Sequence, residues 1–184
     1  MKNRKIPTFF ALAAILGFSS AELFAREAEP YQYSSAQAKY LKNRGKPDLF
    51  LLLFVTKEVD AETGAEKRVD PPRRIETWLY TALGRRVMFD DGILIKETRF
   101  DSKVLQGLLP ETELDLTEYS PEISPKAIKR RFGQPDNIEK LTVGKQNFQV
   151  YRYMPKESQG VKSFTFLDDQ LVGVAAGIGI VPKK

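Results

Sequence analysis

The sequence predicts an α+β fold built from two tandem units, each a helix followed by a three-stranded antiparallel sheet. Two observations carry that expectation. The stretch "KNRGKPD" ends in Gly45-Lys46-Pro47-Asp48, and "RRFGQPD" ends in Gly133-Gln134-Pro135-Asp136. Each follows a helical pattern and precedes alternating apolar runs with aromatic residues in corresponding places. An internal repeat of this kind sets the architecture before any single residue does.

The second half is the better specified. Ser124 is an N-cap candidate, with Pro125 at the first helical position, where its missing N–H costs nothing. Ile128 and Phe132 lie four residues apart on one face, while Lys126, Lys129 and Arg130 stay in water. Gly133 suits the left-handed position past the helix end, and Pro135 prevents the helix from resuming. Extended segments follow at "IEKLTV", "NFQVYRYM" and "VKSFTFL", and a turn at Asp168-Asp169-Gln170 leads into the apolar "LVGVAAGIGIV".

In the first half a weaker helix, "SSAQAKYLKNR", ends at Gly45. Strands are expected at "LFLLLFVTKEV", "RRIETWLYTA" and "RRVMFDDGILIKE". Laying the middle strands over one another pairs Trp78 with Tyr151 and Tyr80 with Tyr153. Laying "VMFDDGILI" over "TFLDDQLVG" pairs Asp90-Asp91 with Asp168-Asp169 and Met88 with Phe166. The resulting boundaries are a signal peptide at 1–25, a first unit at 26–100 and a second unit at 121–184. The first unit carries a long charged hairpin at 57–74, expected as a solvent-exposed insertion. The linker 101–120 offers a short helix around Val104–Leu109.

The start of the chain places Lys2, Arg4 and Lys5 ahead of an apolar run from Ile6 to Phe18, followed by small residues. This is the layout of a secretory signal, and the run is short for a membrane span. Cleavage is expected after Ala21 or Ala25, with a periplasmic destination and no integral membrane segment in the mature chain. The formal charge of +5 falls to +3 without residues 1–25, which leaves 26 basic and 23 acidic side chains. That excess gives no reason to expect nucleic acid. With no histidine and no cysteine, His- or Cys-dependent triads, thiol chemistry, disulfides, lipid attachment and the usual zinc sites are excluded.

The helix ending in Gly-x-Pro, the aromatic middle strand and the Phe/Asp-containing final strand resemble the SmpA/OmlA (BamE-like) family. The carriers are Ile123, Ser124, Ile128, Phe132, Gly133, Pro135, Tyr151, Tyr153, Phe166, Asp168, Asp169 and Leu171. In the first half they are Gly45, Pro47, Trp78, Tyr80, Phe89, Asp90, Asp91, Gly92 and Leu94. Two such units in tandem are similar to the β-lactamase inhibitory protein architecture. The resemblance covers about residues 120–175 and, more weakly, 34–98. It implies helix-on-sheet units and a binding role. The missing acylatable cysteine departs from the lipoprotein pattern and speaks against direct outer-membrane anchoring.

Trp78, Tyr80, Tyr151 and Tyr153 are the leading binding candidates. In each strand the two rings are two residues apart and share a face. If the helices cover the opposite face, these rings form an open aromatic surface suited to protein contact. If they cover this one, the rings are core and Ile75, Thr77 and Leu79 lie on the other side. Arg85 and Arg86 could clamp a partner's carboxylates or simply be solvated at a turn. Lone Asp-Asp pairs are ordinary hairpin chemistry, so no catalytic residue, metal site or cofactor is expected. The function expected is a non-enzymatic exported module for protein partners, whether a subunit of an envelope or appendage assembly or an inhibitor of an exported enzyme. A carboxylate-dependent hydrolase is the remaining alternative. Neither the partner nor the oligomeric state follows from the residues.

Overall fold

The computed structural model describes residues 30–60, 62–101, 103, 114–144, 146–154 and 160–177. The expected signal peptide, the linker helix and the last residues of the apolar C-terminus lie outside them. Helix α1 (Ser35–Arg44) precedes strands β1 (Leu49–Val59), β2 (Glu66–Tyr80), β3 (Arg85–Asp90) and β4 (Ile93–Arg99). A 3-10 turn at Leu116–Glu118 leads to helix α2 (Pro125–Phe132). Strands β5 (Asn137–Val143), β6 (Gln146–Tyr153), β7 (Lys162–Leu167) and β8 (Gln170–Ala176) follow.

The expected pair of helix-plus-three-strand units does not form. The strands make one eight-stranded antiparallel sheet in the order β4-β3-β2-β1-β8-β7-β6-β5, and among the described residues only two short α-helices accompany it. The difference arises at "MFDDGILI", taken as one strand, which turns back on itself. Asp91 and Gly92 take positive φ of 44° and 77°, and Asp168 and Asp169 take 49° and 63°. Two successive positive-φ residues are the backbone of a tight two-residue hairpin. A bulge between Met88 and Phe89 recurs between Thr165 and Phe166. The two hairpins therefore match with Phe89 opposite Phe166 and Asp91-Gly92 opposite Asp168-Asp169, one residue away from the overlay of the aspartate pairs. The charged segment 57–74 also differs from an inserted loop. Strands β1 and β2 run out into it, pairing Lys57 with Arg68 and Val59 with Glu66.

Each helix is fixed at both ends by its own sequence. The Ser34 hydroxyl accepts from the Gln37 N–H and the Gln37 side chain accepts from the Ser34 N–H, a reciprocal capping box. Ser124 accepts from the Ala127 N–H ahead of Pro125. Gly45 and Gly133 end the helices at φ of 76° and 83°. Beyond each glycine an aspartate ties the chain to the end of an aromatic strand. Asp48 accepts from the Thr81 N–H at 2.7 Å, and Asp136 from the Met154 N–H at 2.8 Å.

Both helices lie against the aromatic face of the sheet. Ile128 is buried among β-strand residues, and Tyr33, Ala36, Tyr40, Leu41, Ile123 and Phe132 pack on the same core. Burying one such aliphatic side chain stabilises the fold by about 1.5–3 kcal/mol. Trp78 tilts against Phe89 at 4.7 Å between ring centroids, Tyr151 against Phe166 at 5.1 Å, and Phe132 stacks on Phe164 at 5.2 Å.

The helix-free face of the sheet as a candidate binding surface

Strand alternation divides the sheet into two faces, and the structure settles which one is covered. Trp78 is fully buried, and Tyr80, Tyr151 and Tyr153 are at least nine-tenths buried. The open aromatic surface that these four residues could have formed is instead packed core. The Tyr80 and Tyr153 hydroxyls donate to the carbonyls of Gly45 and Gly133, so each ring also serves a helix end. Burial pushes the Tyr80 phenol up to about 12.

Three charged residues are buried on that face, Arg74, Glu76 and Lys162, and the first two form a pair. The Arg74 guanidinium donates to Glu76 Oε1 at 2.6 Å, to the Tyr119 carbonyl at 3.0 Å and to the Leu116 carbonyl at 2.7 Å. Glu76 also accepts from Trp78 Nε1 at 2.8 Å and from Gln37 Nε2 at 2.9 Å. Arg74 lies over the Tyr31 ring at 4.0 Å. A buried ion pair holds only when its remaining polar atoms are satisfied. Here they are met by the first helix, the second strand and the chain entering the second half. Sequence reasoning missed this joint because an Arg-x-Glu-x-Trp strand reads as a face pointing to water.

Arg85 and Arg86 do not converge on one site. They point to opposite faces, with Arg85 donating to Glu97 on the helix side at 3.2 Å and Arg86 to the Thr98 hydroxyl at 3.2 Å. Asp91, Asp168 and Asp169 are turn residues, with Asp91 Oδ1 accepting from the Arg74 N–H, whereas Asp90 ends β3 and meets Arg73. Among the described residues no group of three or more acidic side chains is placed to hold a metal ion. No described helix is long and apolar enough to cross a membrane.

The opposite face carries no helix among the described residues. The register aligns Leu51 with Thr77 and Ala175, and Leu53 with Ile75 and Gly173. Phe148 pairs with Leu167 further along. Most of these side chains remain partly accessible, and Leu53 is 38% exposed. At the seam between β1 and β8 a shallow depression of about 330 Å³ has Gly173 in its lining. Leu53, Val55, Phe148, Thr165, Leu167 and Val172 line it. Charged pairs flank this apolar centre. Arg73 meets Glu58 at 2.6 Å and Asp90 at 3.2 Å on one side, and Arg152 meets Glu139 at 2.6 Å on the other. An apolar centre within a charged rim is the anatomy of a protein-protein interface.

Compared with known proteins, the chain matches no family model, no curated protein and no solved structure.

Proposed function

We propose that the chain is a non-enzymatic exported interaction module that holds a protein partner against the helix-free face of its sheet. The observation that carries this reading is the contiguous apolar centre around Leu51, Leu53, Phe148 and Leu167, bounded by the Arg73 and Arg152 ion pairs. Contiguous exposed apolar surface on a folded domain marks interaction sites. The resemblance of each half to SmpA/OmlA units belongs to the same proposal. A partner that inserts a loop into the depression above Gly173 would make the chain an inhibitor of an exported enzyme, with the same surface engaged.

The test is a stoichiometric complex isolated from periplasm. Leu53→Arg and Leu167→Arg abolish co-purification while thermal unfolding stays close to that of the parent chain, because both side chains are already partly in water. Lys126→Glu, on the outer face of α2, leaves the complex intact. Retention of the partner by both arginine variants would refute the assignment of this face.

A further inference from the structure

The two ends of the sheet carry the same relationship as the seam at its centre. Inside the chain, β1 pairs with β8 through Phe50–Ala176, Leu51–Ala175, Leu52–Val174 and Leu53–Gly173. β5 is the second-half counterpart of β1, since Asp48 and Asp136 stand at the same place before each and make the same bond. β4 is the counterpart of β8, with a matching hairpin turn and bulge. Yet β4 and β5 are the two edges of the sheet, each with a single neighbouring strand among the described residues. Both edges carry charges, Lys96, Glu97 and Arg99 in β4 and Glu139 and Lys140 in β5, beside exposed apolar residues. Ile93, Leu94 and Ile95 of β4 are exposed, as are Ile138, Leu141 and Val143 of β5. Unpaired apolar edges are templates for another chain.

We propose that β4 of one copy pairs antiparallel with β5 of a second copy, in the register of the internal β1–β8 seam. Carrying that register over sets Ile138 opposite Arg99, Glu139 opposite Thr98, Lys140 opposite Glu97 and Leu141 opposite Lys96. At the position of the buried Leu52–Val174 pair Lys140 comes opposite Glu97, whose carboxylate already accepts from Tyr40 at 2.6 Å and Arg85 at 3.2 Å in its own chain, so Lys140 joins an existing cluster. Directly opposed charges of opposite sign stabilise a strand pair, and like charges destabilise it. Pairing like edges about these residues would set Lys140 against Lys140 or Glu97 against Glu97. Lys140 and Glu97 both lie on the helix side, in register with Gln149 and Val87. The copies therefore join with helices on one side and open faces on the other. Because the two edges differ, every added copy presents a fresh β4 and β5. The assembly grows head to tail, as an open strand-linked chain or a closed ring.

The absence of native cysteine gives a clean test on the full chain. Opposed strand residues lie within disulfide reach. A mixture of Lys96→Cys and Leu141→Cys chains under mild oxidation gives a covalent heterodimer, while neither variant alone crosslinks. The doubly substituted chain gives a ladder. Lys140→Glu in the Leu141→Cys chain abolishes the heterodimer, while Lys140→Arg keeps it. No heterodimer in the mixture, or disulfide-linked homodimers of Leu141→Cys alone, would overturn the proposal. Crosslinking that ignores the charge reversal at Lys140 would overturn the register.

Discussion

The Tyr80 hydroxyl donates to the Gly45 carbonyl at 3.2 Å, tying the end of the first helix to the end of the second strand. Tyr153 does the same for Gly133 at 3.1 Å. One net hydrogen bond contributes about 0.5–1.5 kcal/mol. Tyr80→Phe and Tyr153→Phe are each expected to lower stability by about 1 kcal/mol. The double variant is expected to lower it by the sum, since the two sites share no partner. Urea unfolding of the three variants checks this. A strongly non-additive double variant would mean that the two bonds are not independent anchors.

The buried Arg74–Glu76 pair is expected to dominate the stability of the joint between the halves. Arg74→Met leaves Glu76 short of a partner and removes the donors to the Leu116 and Tyr119 carbonyls. Breaking such a pair costs about 3–5 kcal/mol. Adding Glu76→Gln to Arg74→Met recovers part of that loss by removing the stranded charge. Denaturant midpoints of the single and double variants decide it.

Gly92 and Asp169 occupy equivalent hairpin positions but differ in what they face. A Cβ on Gly92 would lie 2.9 Å from Ser34 Cβ, at a φ of 77°. Gly92→Ala is expected to destabilise by about 1–3 kcal/mol through strain and the displaced helix cap. Asp169→Gly is expected to be neutral or stabilising, because its φ of 63° is one that glycine adopts freely. Thermal unfolding of the two variants side by side measures the contrast.

Alkaline conditions are expected to unfold the chain. Burial raises the phenol of Tyr80 to about 12, and those of Tyr33 and Tyr153 also move upward. Above the ordinary tyrosine range the unfolded chain gives up protons that the folded chain keeps. The unfolded state then binds fewer protons, so stability falls as pH rises from about 10. Phenolate absorbance should rise together with loss of circular dichroism. Full ionisation of the tyrosines with the fold intact would contradict the packing described for these rings.

Much of the fold is legible in the sequence because it is local chemistry. Ser124-Pro125 and Gly133 delimit α2, and the alternation of "NFQVYRY" marks β6. The strand count in the first half is not legible because the Asp91-Gly92 turn lies inside an otherwise continuous apolar stretch. Which face is covered could not be read from alternation alone. Ile75 and Leu79 offer as plausible a core as Trp78 and Tyr80, and the charged Arg74 and Glu76 argue for water on the side that is in fact buried. That choice depends on Gln37 and the carbonyls of Leu116 and Tyr119, distant in sequence from the strand.

The most direct test of the account is in-cell photocrosslinking from Leu53 on the helix-free face, compared with Tyr151 beneath α2. One protein partner captured in stoichiometric yield from Leu53, with only adducts inside the chain from Tyr151, is the predicted result. Capture of that partner from Tyr151 and none from Leu53 would place the binding surface on the other side of the sheet and contradict the proposed function.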